Sequence, residues 1–163
     1  LNSAFAMVRS LVSNFRLAPQ LNGLNRENFN LYIEEFDLPE VDRNHIFCSE
    51  DRQKAFLDTM HYRDLNHTKK EIEQAKNSLN ESGIFFDEKL YITFSRLLSH
   101  LSKVWQEQYN VSVLQQNTRL VYTNNFIEVG DRDVKIIRNI LRDNLHIKAV
   151  GFINKSEIEA HNN

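Results

Sequence analysis

The sequence predicts a mostly α protein, a helical bundle built on one long antiparallel helical hairpin over about residues 49–109. Two apolar series carry that expectation. Leu65, Thr68, Ile72, Ala75 and Leu79 recur at steps of three and four, and so do Leu90, Phe94, Leu97, Leu101, Val104 and Gln108. Such spacing is the seam of a coiled-coil-like helix, because seven residues cover almost two turns. Glu81-Ser82-Gly83 breaks the pattern between the series, and two seams joined by a short break fold back on each other. The third observation is composition: four Gly and two Pro in 163 residues suit helices better than a turn-rich sandwich.

A chain of this length forms one domain and buries a real core, so 1–163 is expected to be a single helical domain. Two shorter helices are expected in 1–48. The first spans 3–17, capped by Ser3, with Phe5, Val8, Leu11, Val12 and Phe15 on one face and Ala18-Pro19 ending it. The second starts after Asn25, carries Phe29, Tyr32, Ile33 and Phe36, and stops before Leu38-Pro39; 40–48 then reads as a connector. Ser49 opens the long helix, with Asp51 at its electropositive end, and Ser82-Gly83 closes it. Asp87 caps the return helix, whose stripe Tyr91, Leu98 and Trp105 widen, so that it should contact a further layer.

The last segment, 110–163, is expected to be mixed. Residues 111–129 are compatible with helix or extended chain, the runs 119–123 and 126–129 having the β-branched and aromatic character of short strands, and 147–153 is open in the same way. Between these stretches Asp131 caps a helix through Leu145 with Val134, Ile137, Ile140 and Leu141 on one side. All-α is the first expectation and a small C-terminal strand pair the alternative.

Charge and cysteine usage narrow the function. A net charge of −2 argues against nucleic acid held by bulk electrostatics. The lone Cys48 excludes an intramolecular disulfide and any multi-cysteine metal site, and favours a reducing, cytoplasmic setting. Sequons at Asn66, Asn80 and Asn110 are what an Asn-rich chain supplies by chance. No apolar run reaches the length of a membrane span, although tethering through regions outside this chain is compatible with the sequence. The chain opens on Leu1, so the expectation is a soluble fragment of a larger protein, bacterial by the style of its sequence.

Few residues suggest chemistry. Asp58, His61, Asp64 and His67 alternate every third residue, and a hairpin pivoting near residue 84 places His67 opposite His100. Asp64, His67 and His100 are therefore candidate metal ligands, although steps of three rotate around a helix and the Glu-x-x-His pattern of di-iron bundles is absent. Arginine precedes histidine at Arg63/His67, Arg96/His100 and Arg142/His146. This pattern is loosely similar to the HEPN ribonucleases, helical proteins whose motif is an arginine, a polar residue, further residues and a histidine. The resemblance implies metal-independent RNA cleavage by Arg96 and His100, or by Arg63 and His67. Each pair here leaves three residues between its members, fewer than that family, and Leu97 follows Arg96 where a polar residue belongs.

Other groups have plainer readings. Cys48 lies near His45, but an isolated buried cysteine is the ordinary expectation. Glu34, Glu35 and Asp37 read as a solvated acidic face, and Arg132, Lys135, Arg138 and Arg142 as a charged outer face interrupted by acids. No phosphate loop or nucleophile elbow is present, and no cofactor is implied. The expectation is a non-catalytic interaction or self-association domain, with another protein or a second copy as partner. Phe85, Phe86, Tyr91, Leu97 and Trp105 are its candidate interface residues. The alternatives are the HEPN-like ribonuclease and a metal-binding bundle.

Overall fold

The computed structural model describes residues 1–13 and 20–160, with side chains as far as Asp143. Among the described residues seven α-helices follow one another: α1 (Asn2–Ser13), α2 (Arg26–Glu34), α3 (Glu40–Cys48), α4 (Arg52–Ser82), α5 (Glu88–Ser112), α6 (Val121–Asn124) and α7 (Phe126–Ala160). A 3₁₀ turn, Gly83–Phe85, joins α4 to α5. These two long helices are the hairpin that the seams require, and they pack along each other. Leu65, Thr68, Ile72 and Leu79 of α4 are buried, as are Leu90, Leu97, Leu101 and Val104 of α5.

Side-chain caps set where several helices begin. Asn25 accepts from the Asn28 amide and Asp87 from the Leu90 amide, each satisfying a donor that the first helical turn leaves over. At α4 the cap is Asp51, which accepts from the Lys54 amide; Ser49 instead follows α3 in extended geometry and donates to the His45 carbonyl. Residues 40–48 are a helix, not a connector. Pro39 sits at its start, where a missing N–H costs nothing, Glu40 and Asp42 favour its electropositive end, and Ile46 is wholly buried.

Two clusters of apolar side chains result. The smaller joins α2, α3 and the start of α4 around Phe29, Ile33, Ile46 and Phe56. Two guanidinium groups lie over the Phe47 ring, Arg52 at 4.1 Å and Arg26 at 4.5 Å from its centroid. Arg52 also donates to the carbonyls of Phe47 and Leu24, and Arg26 to Asn44, so both cations are held over the ring. The larger cluster joins α1, α4, α5 and α7 through Val8, Ile72, Leu97, Leu101, Phe126 and Ile137. Each large side chain fully buried there contributes roughly 1.5–3 kcal/mol.

In the C-terminal segment the all-α expectation holds among the described residues, without the small strand pair. Residues 121–124 form α6, and 126–129 and 147–153 belong to α7; the described residues contain no strand. Asp131 lies inside α7 rather than capping it. β-propensity is a weak preference that needs a partner strand to be realised. Here the tertiary contacts favour helix, because Phe126 buries against Phe5 of α1, ring centroids 5.3 Å apart. Ser3 likewise lies within α1, which begins at Asn2, while Phe15 and the expected end of that helix fall outside the described residues. No helix among the described residues is long and apolar enough to cross a membrane.

Candidate functional site

Helix α5 carries a polar line beside its seam. Arg96, His100 and Glu107 stand four and seven residues apart, hence on one flank. That flank faces α6 and α7. Arg96 grips Asp133 of α7 in a fork, Nε to Oδ2 at 3.0 Å and Nη2 to Oδ1 at 2.8 Å. Asp133 is wholly buried, whereas half of the Arg96 side chain meets solvent. The hydrogen bonds that Arg96 donates to Asp133 push its already high pKa further up, so the guanidinium stays charged.

One turn along, the His100 ring stacks parallel to Phe126, with centroids 6.3 Å apart, and meets Tyr122 edge-on at 5.8 Å. Its Nε2 is buried and has no hydrogen-bond partner. Burial pushes the imidazole pKa below its ordinary value, with Asp133 pulling the other way. Two turns further, the Glu107 carboxylate accepts the amides of Tyr122 and Thr123 at 2.9 and 2.8 Å. A side chain from α5 thereby caps α6 from across the fold. Lys103 adds its ammonium 4.7 Å from the Tyr122 ring centroid.

Chemically this line is a set of ties. Acid–base catalysis needs an imidazole nitrogen within reach of substrate, and the buried Nε2 of His100 is shielded from anything arriving in water. Arg96 has spent its fork on Asp133. Glu107 and Asp133 were not singled out by sequence reasoning. The seven-residue step from His100 to Glu107 was the available sign, but nothing local identifies which distant backbone a carboxylate will cap.

The second arginine–histidine pair lies on α4. Arg63 donates to the Asp37 carbonyl at 3.0 Å, tying α4 to the turn after α2. Exposed His67 stands 3.8 Å from Glu71. With Asp64, Met60 and Lys70 they line a surface depression of about 430 Å³. His100 is not among them, because it sits on the α7-facing flank of α5. Asp64, His67 and His100 are therefore not assembled into a metal site. Among the described residues no group of three or more such side chains is placed to hold a metal ion. His146 of the third pair lies outside the described side chains.

One pairing has no local signal at all. His61 Nε2 and Ser112 Oγ, 51 residues apart in the chain, lie 2.9 Å from each other. They line a cleft of about 590 Å³ with Lys54, Asp58, Tyr62 and Gln115. Ser112 is the last residue of α5, where the helix dipole is negative and disfavours a developing oxyanion.

The candidate interface residues divide. Leu97 is wholly buried and belongs to the core. Trp105 is half-buried, donating to the Leu65 carbonyl at 2.8 Å and stacking on Tyr109. Phe86 packs on Phe94 at 5.6 Å, while Phe85 and its neighbour Ile84 are each 81% exposed. Tyr91, partly exposed, lies over Gly83 so closely that a Cβ there would sit 2.6 Å from its ring. Cys48 is exposed, contrary to the expected buried thiol. The acidic group Glu34, Glu35 and Asp37 and the basic residues Arg132, Lys135, Arg138 and Arg142 are all exposed. No family model, curated protein or solved structure matches the chain.

Proposed function

We propose that this chain is a non-catalytic helical interaction domain that docks on a second copy or on another protein through the tip of its α4–α5 hairpin. The observation that carries the reading is the exposure of Ile84 and Phe85, adjacent large apolar side chains, each 81% open to solvent. Singly exposed apolar residues are commonplace, but an adjacent pair at an exposed turn, with the Tyr91 ring against Gly83 of the same turn, makes an apolar surface. The turn is also held in shape. Phe86 anchors it to Phe94, and the Tyr91 ring occupies the space that Gly83 leaves. Pinning of this kind lowers the ordering cost of binding.

Support over the HEPN-like ribonuclease comes from Arg96 and His100, one engaged by Asp133 and the other buried against Phe126. Support over a metal-binding bundle comes from the separation of His67 and His100 onto different surfaces. An exposed, unpaired Cys48 thiol suits the reducing cytoplasm.

Light scattering coupled to size exclusion tests the reading, run on wild type and on Ile84→Asp/Phe85→Asp over a wide concentration range. We expect a wild-type dimer that dissociates at low concentration, and a folded monomer for the variant. A dimer that persists in the variant, or a wild type monomeric throughout, overturns self-association through the tip.

A further inference from the structure

His100 holds an unusual position in the clamp that seats α6 and α7. Its ring is nine-tenths buried between two aromatic side chains, Phe126 of α7 and Tyr122 of α6. Its Nε2 has neither solvent nor a hydrogen-bond partner. In the neutral ring, a nitrogen of this kind tolerates such a place as an unprotonated edge. A protonated ring has two N–H donors and a full charge, and both need partners.

The charged neighbours cannot supply them as the clamp stands. From α7 Asp133 and Arg132 act on the ring, and from its own helix Lys103 and Glu107; α6 contributes the Tyr122 phenol. Two acids face two bases, so their fields largely oppose each other. Both acids are already engaged. The two oxygens of Asp133 take Nε and Nη2 of Arg96, and those of Glu107 take the amides of Tyr122 and Thr123. The Phe126 face returns a little to a stacked cation, while Lys103 and Arg132 repel it.

We propose that His100 is an acid-sensitive latch: neutral, it lets α6 and α7 seat on α5, and protonated, it releases them. The sign follows from burial, which places the seated-state pKa below the ordinary imidazole value. The released state therefore binds the proton more tightly. The latch holds fully above the ordinary value of about 6.5 and loosens as pH falls through the lowered one. Release uncovers Phe126 and Ile137 together with the apolar side chains of the main cluster that they cover. Among the described residues the smaller cluster around Phe29 and Phe56 contains no side chain of α6 or α7, and it should stay closed.

Backbone hydrogen exchange read by mass spectrometry tests the latch, corrected for intrinsic rates, at pH about 7.5, 6.5 and 5.5. Wild type should lose protection several-fold over 121–143 as the pH falls, while 26–60 keeps its protection. His100→Phe retains the stack without a titrating nitrogen and should show a flat profile over 121–143. An equal loss in His100→Phe, or no loss in wild type, overturns the proposal. Should that variant fail to fold, NMR titration of the His100 ring protons in wild type decides alone. A midpoint below the ordinary imidazole value supports the latch, and one at or above it refutes it.

Discussion

Truncating Arg96 to alanine separates a structural arginine from one kept available for a ligand. The substitution removes both bonds to Asp133, whose carboxylate is wholly buried. Breaking a buried ion pair from one side costs about 3–5 kcal/mol, mostly because the remaining charge is stranded. Two features reduce that figure here. Half of the Arg96 side chain is exposed, so water already screens the pair, and Arg132 Nε stands 3.5 Å from the same carboxylate. We therefore expect Arg96→Ala to lose about 2 kcal/mol. At about 2–4 °C per kcal/mol for a domain of this size, that is a fall in Tm of about 4–8 °C. Replacing both partners, Arg96→Leu with Asp133→Leu, removes the stranded charge and should recover most of the loss. Urea denaturation of the two singles and the double gives the coupling directly. If Arg96→Ala changes stability by less than about 0.5 kcal/mol, within the range of ordinary surface substitutions, the clamp is not a stabilising tie. Arg96 would then be free for a substrate, and the ribonuclease reading would regain its ground.

Three further substitutions probe the frame. Leu101→Ala empties a wholly buried position in the main core and should cost about 2–5 kcal/mol by urea denaturation; a negligible loss would mean the seam does not lie in a packed interior. Asp87→Ala removes the bond to the Leu90 amide and should cost about 1 kcal/mol in thermal melts, with Asp87→Asn costing much less. Gly130→Ala introduces a methyl 2.6 Å from the Phe5 ring, for which we expect a loss of about 1–3 kcal/mol. On a Phe5→Ala background the same change should be nearly neutral, and an equal loss there would rule out the clash as its cause.

Residues that act within a turn or two of themselves were legible. The three- and four-residue recurrence from Leu65 to Leu79 and from Leu90 to Val104 placed the hairpin, and Asn25 and Asp87 marked helix starts because a cap bonds only three residues ahead. The same local reasoning ends the second helix before Pro39, as it does end, but takes 40–48 for a connector, whereas Pro39 opens a further helix there. The Val, Ile and Phe content of 119–129 leaves helix and strand open, since intrinsic preference cannot know that Phe126 has Phe5 to bury against.

The candidate site was legible only as names. Arg96 and His100 stood out, but their partners did not: Asp133 lies 37 residues from Arg96, and Tyr122 and Thr123 lie 15 and 16 from Glu107. His67 and His100 were expected at one level of the hairpin, yet level is not direction. A helix turns about 100° per residue, so a small error in its rotation moves a side chain from one neighbour to another. By itself, then, the sequence determined periodicity, caps and the reversal between α4 and α5, because these depend on residues adjacent along the chain. Only the tertiary structure decided that His100 faces Phe126 rather than α4, that Asp133 rather than a ligand takes Arg96, and that 121–124 and 126–129 are helical. Each of those outcomes depends on which surfaces of separate helices meet, and that is set by how all their buried side chains pack together.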